Sequence, residues 1–268
     1  MRLREAGIDS PRRDARLLLA HALGTTPSAL TRDLSRPVDA ARFGVLIDRR
    51  AAREPLALIV GRREFWSLDF AVSPATLVPR PDSETLIEAA LTTFARRAPP
   101  RRILDLGSGT GCLLLAALSE FPAAFGVGVD CSFAAAALAA RNAAMLRLAV
   151  RAAFCCADWA SAVTGPFDLI LCNPPYIPSG QIEHLMPEVA LHEPRTALDG
   201  GPDGFRQYRR LIPDLVRLLA SDGAAVLEVG AGQAEAVIGL ARDAGFASEA
   251  HRDLSGIPRA LVLRPAPP

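Results

Sequence analysis

Ile103-Leu104-Asp105-Leu106-Gly107-Ser108-Gly109-Thr110-Gly111 passes from an apolar run into alternating glycines, and Cys112-Leu113-Leu114-Leu115-Ala116-Ala117 follows with helical composition. A strand, a glycine loop and a helix in that order mark the first crossover of a parallel α/β sheet. Glycine lets the backbone turn tightly and approach a ligand where a Cβ would collide. The loop carries no lysine, which excludes a Walker-type phosphate cradle. Downstream, strands are expected at Gly126 to Asp130, Arg151 to Cys155, Phe167 to Cys172 and Ala224 to Val229, with two more around Phe246 and Leu261. Helical stretches lie between them, so both faces of the sheet are covered.

Upstream the pattern is different. Ser10 and Pro11 suit a helix start, Ala15, Leu18, Leu19 and Ala22 share one face, and Gly24 stops it. Thr26-Pro27 opens a second helix, and Phe43, Leu46 and Ile47 mark a third. Leu58-Ile59-Val60, Phe65-Trp66 and Phe70-Ala71-Val72 read as short strands around turns. Residues 1–73 are thus expected to form a helical domain with a strand-rich connector, and 74–268 the α/β domain. The stretch from Ile177 to Gly204 is rich in Pro and Gly and weakly periodic, which is the profile of a functional loop.

Bulk properties narrow the chemistry. The 268 residues carry 30 basic and 29 acidic side chains, and every basic one is arginine. A net charge of +1 does not suit a protein held to nucleic acid by its global field. The five cysteines form no C-x-x-C pair and are expected as buried, reduced thiols, and the scattered histidines exclude a zinc site. The N-terminus lacks a signal-peptide core and no run reaches membrane-spanning length, so a cytoplasmic location is expected.

Asp130 ends the strand after the glycine loop, where a ribose diol needs a two-oxygen acceptor; it also suits a helix cap ahead of Ser132. Asp158-Trp159 follows the third strand, where an adenine amino group and ring would lie; simple packing explains Trp159 equally well. Gly107, Ser108, Gly109, Thr110, Gly111 and Asp130 fit any adenosine cofactor, NAD included.

Asn173-Pro174-Pro175-Tyr176, at the end of the fourth strand, separates the cofactors. Two prolines donate no N–H and stiffen the turn, leaving carbonyls free to accept. An –NH2 on an sp² carbon is a poor nucleophile because its lone pair is delocalised. Accepting its hydrogens at Asn173 and the Pro174 carbonyl orients it and stabilises the positive charge that develops as it takes a methyl from a sulfonium. Tyr176 offers a flat face for stacking. A carboxylate in the same place would set acceptors against acceptors, at about 1–3 kcal/mol per unpaired group. The pattern points to S-adenosylmethionine (SAM) and amino-group methylation, with Asn173 as an acceptor for the target nitrogen.

With these motifs in place, the chain resembles the bacterial release-factor glutamine methyltransferase family (HemK/PrmC). The resemblance runs from Ser10-Pro11-Arg12-Arg13-Asp14 through Gly61-Arg62-Arg63-Glu64-Phe65-Trp66, Val78-Pro79-Arg80-Pro81-Asp82-Ser83-Glu84 and Asn173 to Ile177, to His192-Glu193-Pro194-Arg195. It implies a Rossmann-like seven-stranded sheet with one antiparallel strand and a helical N-terminal domain that helps grip the substrate. It further implies methylation of the glutamine amide nitrogen in the Gly-Gly-Gln motif of class 1 peptide-chain release factors, with Asn173 in contact with the cofactor as well. A monomer without stable nucleic-acid binding, membrane or metal is expected. Two rivals remain open: an adenine-N6 or cytosine-N4 methyltransferase acting on nucleic acid, and a non-catalytic SAM sensor.

Overall fold

The computed structural model describes residues 1–32 and 37–266. Its first part is helical: α1 (Arg2–Glu5), α2 (Pro11–Ala22), α3 (Pro27–Arg32), α4 (Ala40–Ala51) and α5 (Leu56–Val60). Pro11 occupies the first turn of α2, and the Thr26 hydroxyl accepts from Ala29 N at the start of α3. Asp39 caps α4 by accepting from Ala41 N and Arg42 N. Leu18, Leu46 and Ile59 meet in a small core among these helices.

The expected strand at Leu58-Ile59-Val60 is instead the end of α5. Pro55 precedes its first turn, and Gly61 closes it at φ 78°. A five-residue apolar run has no period to distinguish strand from helix, and the flanking proline and glycine decide the matter. The true hairpin follows, with β1 (Arg62–Phe65) antiparallel to β2 (Leu68–Ala71). Trp66 and Ser67 form its turn, both at positive φ, which matches the twist of paired strands.

The sheet comprises β3 (Arg102–Leu106), β4 (Phe125–Asp130), β5 (Ala152–Cys156), β6 (Phe167–Cys172), β7 (Leu219–Glu228), β8 (Phe246–Arg252) and β9 (Pro258–Pro265), in spatial order β5-β4-β3-β6-β7-β9-β8. β3 to β7 pair in parallel, and β9 runs antiparallel to both of its neighbours. Ile103, Leu169, Leu171, Val226 and Val262 face one side, against α6 (Glu84–Phe94) and α7 (Cys112–Glu120). α8 (Phe133–Met145) packs on the same side through Ala143. Leu104, Leu106, Ile170, Leu227 and Leu261 face the other, against α10 (Arg206–Leu218) and α11 (Ala234–Asp243). Near-continuous apolar strands, buried on both faces, are what a central parallel sheet demands.

Residues 177–204 are more structured than their composition suggests. They hold a 3₁₀ turn at Ser179–His184, the short helix α9 (Pro187–His192) and another 3₁₀ turn at Arg195–Ala197. Ile177 forms an isolated bridge with Asp199, so the segment returns to the strand end it left. The cysteines also depart from expectation: all five are free, but only Cys172 is buried. Cys131 follows β4 and Cys156 ends the edge strand β5, and both are exposed.

The helical part is bolted to the 177–204 segment by charge. Arg50 of α4 donates to Asp14 of α2 at 2.8 Å and to Glu188 of α9 at 3.0 Å, and Arg53 reaches the other Glu188 oxygen at 2.8 Å. Asp14, Arg50 and Glu188 are all buried. Burial raises the Glu188 carboxyl, but its own backbone bond and both guanidiniums outweigh that and leave it below the usual range. Removing one partner strands the others without compensation. Glu188→Ala is predicted to lower the urea unfolding free energy by about 3 kcal/mol, the low end for buried pairs because Arg53 keeps some water. With the carboxyl depressed in the fold, the stabilisation is present above its ordinary range and lost as pH falls. Denaturation curves of wild type and Glu188→Ala that coincide at neutral pH would remove this role.

Candidate active site

The carboxyl ends of β3, β4 and β6 open onto a cavity of about 420 Å³, the place where open α/β sheets bind ligands. Gly107, Ser108, Gly109 and Thr110 line it, as do Asp130, Asp158, Trp159, Asn173 and Pro175. Three residues expected at the site stand behind this wall. Gly111 begins α7 at φ 79°, and an added Cβ would lie 3.1–3.3 Å from Ala139, Phe154 and Leu115. Pro174 is buried. Tyr176 directs its hydroxyl to Glu228, and its carbonyl accepts from the Gln233 side chain at 2.9 Å.

The loop is held by the neighbouring strand. Gly107 N and Ser108 N both donate to the Val129 carbonyl, at 2.8 and 3.0 Å. Gly107 and Gly109 adopt φ of 76° and 53°, a region costly to any residue with a Cβ. A Cβ on Gly107 would meet the Trp159 ring at 3.3 Å and the Asn173 carbonyl at 4.0 Å, so three motifs from different strands converge there. Asp130 serves local structure as well as the cavity: its two oxygens accept from Gly109 N and Ser132 N, each at 2.8 Å. Each oxygen retains a second lone pair, so capping and ribose binding are compatible. Ser132 itself caps α8 by accepting from Ala135 N. Asp158 accepts from Arg210 across the exposed rim at 2.7 Å, a pair that water largely screens.

A cradle that a Cβ would fill agrees with a bound adenosine group. Ser108 lines the cavity as a residue, while its hydroxyl is buried toward Gly128 of β4 and has no hydrogen-bond partner among the described residues. Beneath the loop, burial pushes the Asp105 carboxyl up to about 7.

Sequence reading gave Ser83 and residues Pro194 to Ala197 no role in the wall, and offered Arg80 only as an arginine that the family resemblance could bring near the site. Arg80 and Ser83 come from the turn before α6, and Pro194 to Ala197 from the segment after α9. Arg80 donates to Glu193 at 2.7 Å, where burial raises the Glu193 carboxyl and Arg80 opposes it. Glu228, which ends β7, is buried and accepts from Ser83 at 2.5 Å and from Tyr176 at 3.1 Å. The block Pro79 to Glu84 carried the signal for Arg80 and Ser83. Glu228 carried only its position at a strand end.

A doubly wound sheet with a glycine loop and an Asn-Pro-Pro-Tyr corner on one rim defines a Rossmann-like methyltransferase. Residues 83–201 match the methyltransferase small domain, and residues 1–61 match the PrmC N-terminal domain. A methyltransferase structure from Pyrococcus furiosus aligns with a TM-score of 0.58 at 17% identity, covering 83% of this chain and 96% of that one. At that identity the likeness concerns the fold. The release factor glutamine methyltransferase of Rhodospirillum rubrum is 48% identical, covering 100% of this chain and 84% of its own length. That of Bradyrhizobium diazoefficiens is 46% identical, covering 100% and 92%. The chain belongs to the release factor glutamine methyltransferase family.

Gly111 tests the packing of the loop without touching the cavity. Gly111→Ala combines a left-handed backbone with three crowded neighbours and is predicted to destabilise the fold by about 1–3 kcal/mol. A urea midpoint equal to that of wild type would contradict this.

Proposed function

We propose that the chain transfers a methyl group from SAM to the side-chain amide nitrogen of the glutamine in the Gly-Gly-Gln motif of class 1 release factors. The observation that carries the reading is the placement of Asn173 on the cavity wall, beside the glycine loop. Gly107 to Thr110 lie close enough to admit a cofactor backbone, with Asp130 for the ribose and Asp158-Trp159 beside the adenine. When bound, SAM supplies an electrophilic methyl carbon on a sulfonium.

The chain's own contribution is orientation and acceptance. The Asn173 side-chain oxygen accepts one amide hydrogen and, although Pro174 itself is buried behind the wall, its backbone carbonyl is assigned the other, so that the nitrogen lone pair is held toward the cofactor. Acceptors already in place stabilise positive charge at nitrogen without reorganising. No strong base is required, because the proton becomes acidic once nitrogen has attacked. Pro174 and Pro175 remove competing donors and keep the corner stiff. Tyr176 works from behind, anchoring the corner through Glu228. A glutamate side chain would face these acceptors with oxygens of its own, which supports selection for the amide.

Residues 1–73, through their charge contact with the cavity segment, are assigned to gripping the factor, and 74–268 to catalysis. The near-neutral charge supports a protein substrate over nucleic acid, and we assign the enzyme to the cytoplasm as a monomer.

The direct test is mass spectrometry of a release factor incubated with enzyme and SAM, with the methyl expected on the motif glutamine. Methyl found only on DNA or RNA would move the assignment to nucleic acid, and none on any acceptor would favour a sensor. Asn173→Ala is predicted to lower kcat by roughly 10²–10³-fold, the scale for removing one preorganised hydrogen-bonding group, while SAM still binds in calorimetry. Asp130→Ala is expected to weaken SAM binding. Unchanged affinity would leave that carboxylate as a cap alone.

A further inference from the structure

Glu228 and Tyr176, behind the cavity wall, and Ser83, on it, form a hydrogen-bonded chain that ends on Asn173. Ser83 Oγ donates to Glu228 Oε2 at 2.5 Å, Tyr176 donates to Glu228 Oε1 at 3.1 Å, and Asn173 Nδ2 donates to Ser83 Oγ at 3.3 Å. Ser83 and Glu228 are 3% and 2% exposed, so the bond between them is shielded from water.

A serine hydroxyl has one proton. Ser83 gives it to the carboxylate, and toward Asn173 it can then only accept. The Asn173 amide must present its NH2 group to Ser83, which leaves the carbonyl oxygen as the end not engaged there. Turned the other way, the amide would set oxygen against the serine lone pairs and offer hydrogens to an acceptor that itself carries hydrogens.

We infer that Glu228 is the positioning residue that sets the sense of the Asn173 amide, acting through Ser83. It touches no reacting atom. Its consequence for rate rests on the methyl-transfer reading above, whereas the orientation itself does not.

The chain is sensitive to protonation. Burial raises the Glu228 carboxyl to about 7 against the opposing pull of Ser83, Tyr176 and Arg259, with Asp82 adding to the rise. Tyr208 of α10 donates to the Glu228 backbone carbonyl, and Cys172 lies near on β6. A neutral carboxyl keeps one acceptor oxygen and gains a donor, so Ser83 is released to turn. Activity should therefore fall as pH drops through about 7. Among the described residues Asp105, pushed into the same range beneath the glycine loop, and Glu193, raised by burial behind Arg80, are the other carboxyls that could produce such a limb.

Ser83→Ala and Glu228→Gln test the inference together. Each is expected to lower kcat about tenfold with KM for SAM changed by less than about twofold, and Glu228→Gln to lose the acidic limb. Ser83→Ala removes a single atom and decides the matter if the other variant folds poorly. Unchanged kcat in Ser83→Ala, or an acidic limb that persists in Glu228→Gln, overturns the proposal.

A second readout does not need turnover. The Asn173 side-chain amide signals, identified by their loss in Asn173→Asp, should exchange with solvent slowly in wild type and about tenfold faster in Ser83→Ala. Equal exchange overturns the positioning role. An enzyme that methylates nothing but shows the predicted exchange would sink the functional reading and leave the orientation standing.

Discussion

Leu106 of β3 stands opposite Val129 on one side and Cys172 on the other, and the whole site follows from that register. The residue after each of these three positions is Gly107, Asp130 and Asn173. Three motifs far apart in the chain thus come abreast on one rim because parallel strands stop at the same height. A slip of one residue in either pairing would also exchange the faces of a strand that is apolar on both sides. Helices on each face, through Leu115 and Leu215 among others, hold that register. The core is in this sense the instrument that aligns the rim.

Acidic side chains gather under and around this rim. Asp105 and Glu228 are buried and held near neutrality by burial, while Asp130 accepts two backbone donors at the edge of the cavity. Isolated buried charge is costly, and the fold meets the cost differently at each position. Glu228 takes two hydroxyl donors, and Asp130 takes the amides of a glycine and a cap residue. The result is a rim whose polar groups are largely oriented before any ligand arrives, which is what acceptor-based catalysis requires. Asn142 extends the same logic outward. Its buried amide pairs with both backbone groups of Ala71 and with the Thr110 carbonyl, fastening the hairpin to the glycine loop.

Much of this was legible in the chain. The boundaries of β3 to β6 fell close to expectation because these strands are bounded by glycines, acids and the proline corner, whereas β7 begins at Leu219, five residues before the expected Ala224. The glycine loop, Asp130 and Asn173 were readable as rim residues, and they line the cavity, because the carboxyl ends of strands in open α/β sheets use few residue types. Elsewhere the information was not local. α5 was hidden because a short apolar run lacks a period. The order in residues 177–204 depends on Arg50, Arg53 and Arg80, which are far away in sequence. Glu228 and Ser83 are 145 positions apart, and neither residue announces the other. The partner of the Tyr176 hydroxyl was equally hidden, because the carboxylate of Glu228 is supplied only by the folded chain.

The segment that follows the corner is gripped twice, by the helical part at Glu188 and by the turn before α6 at Glu193. Both acids lie on one short stretch, so neither end can swing outward without leaving an arginine stranded. The wall therefore behaves as a fixed jamb and not as a door. On the proposed reading, a substrate loop threads its glutamine into a standing aperture, and the two glycines that precede it in the motif are slender enough to pass.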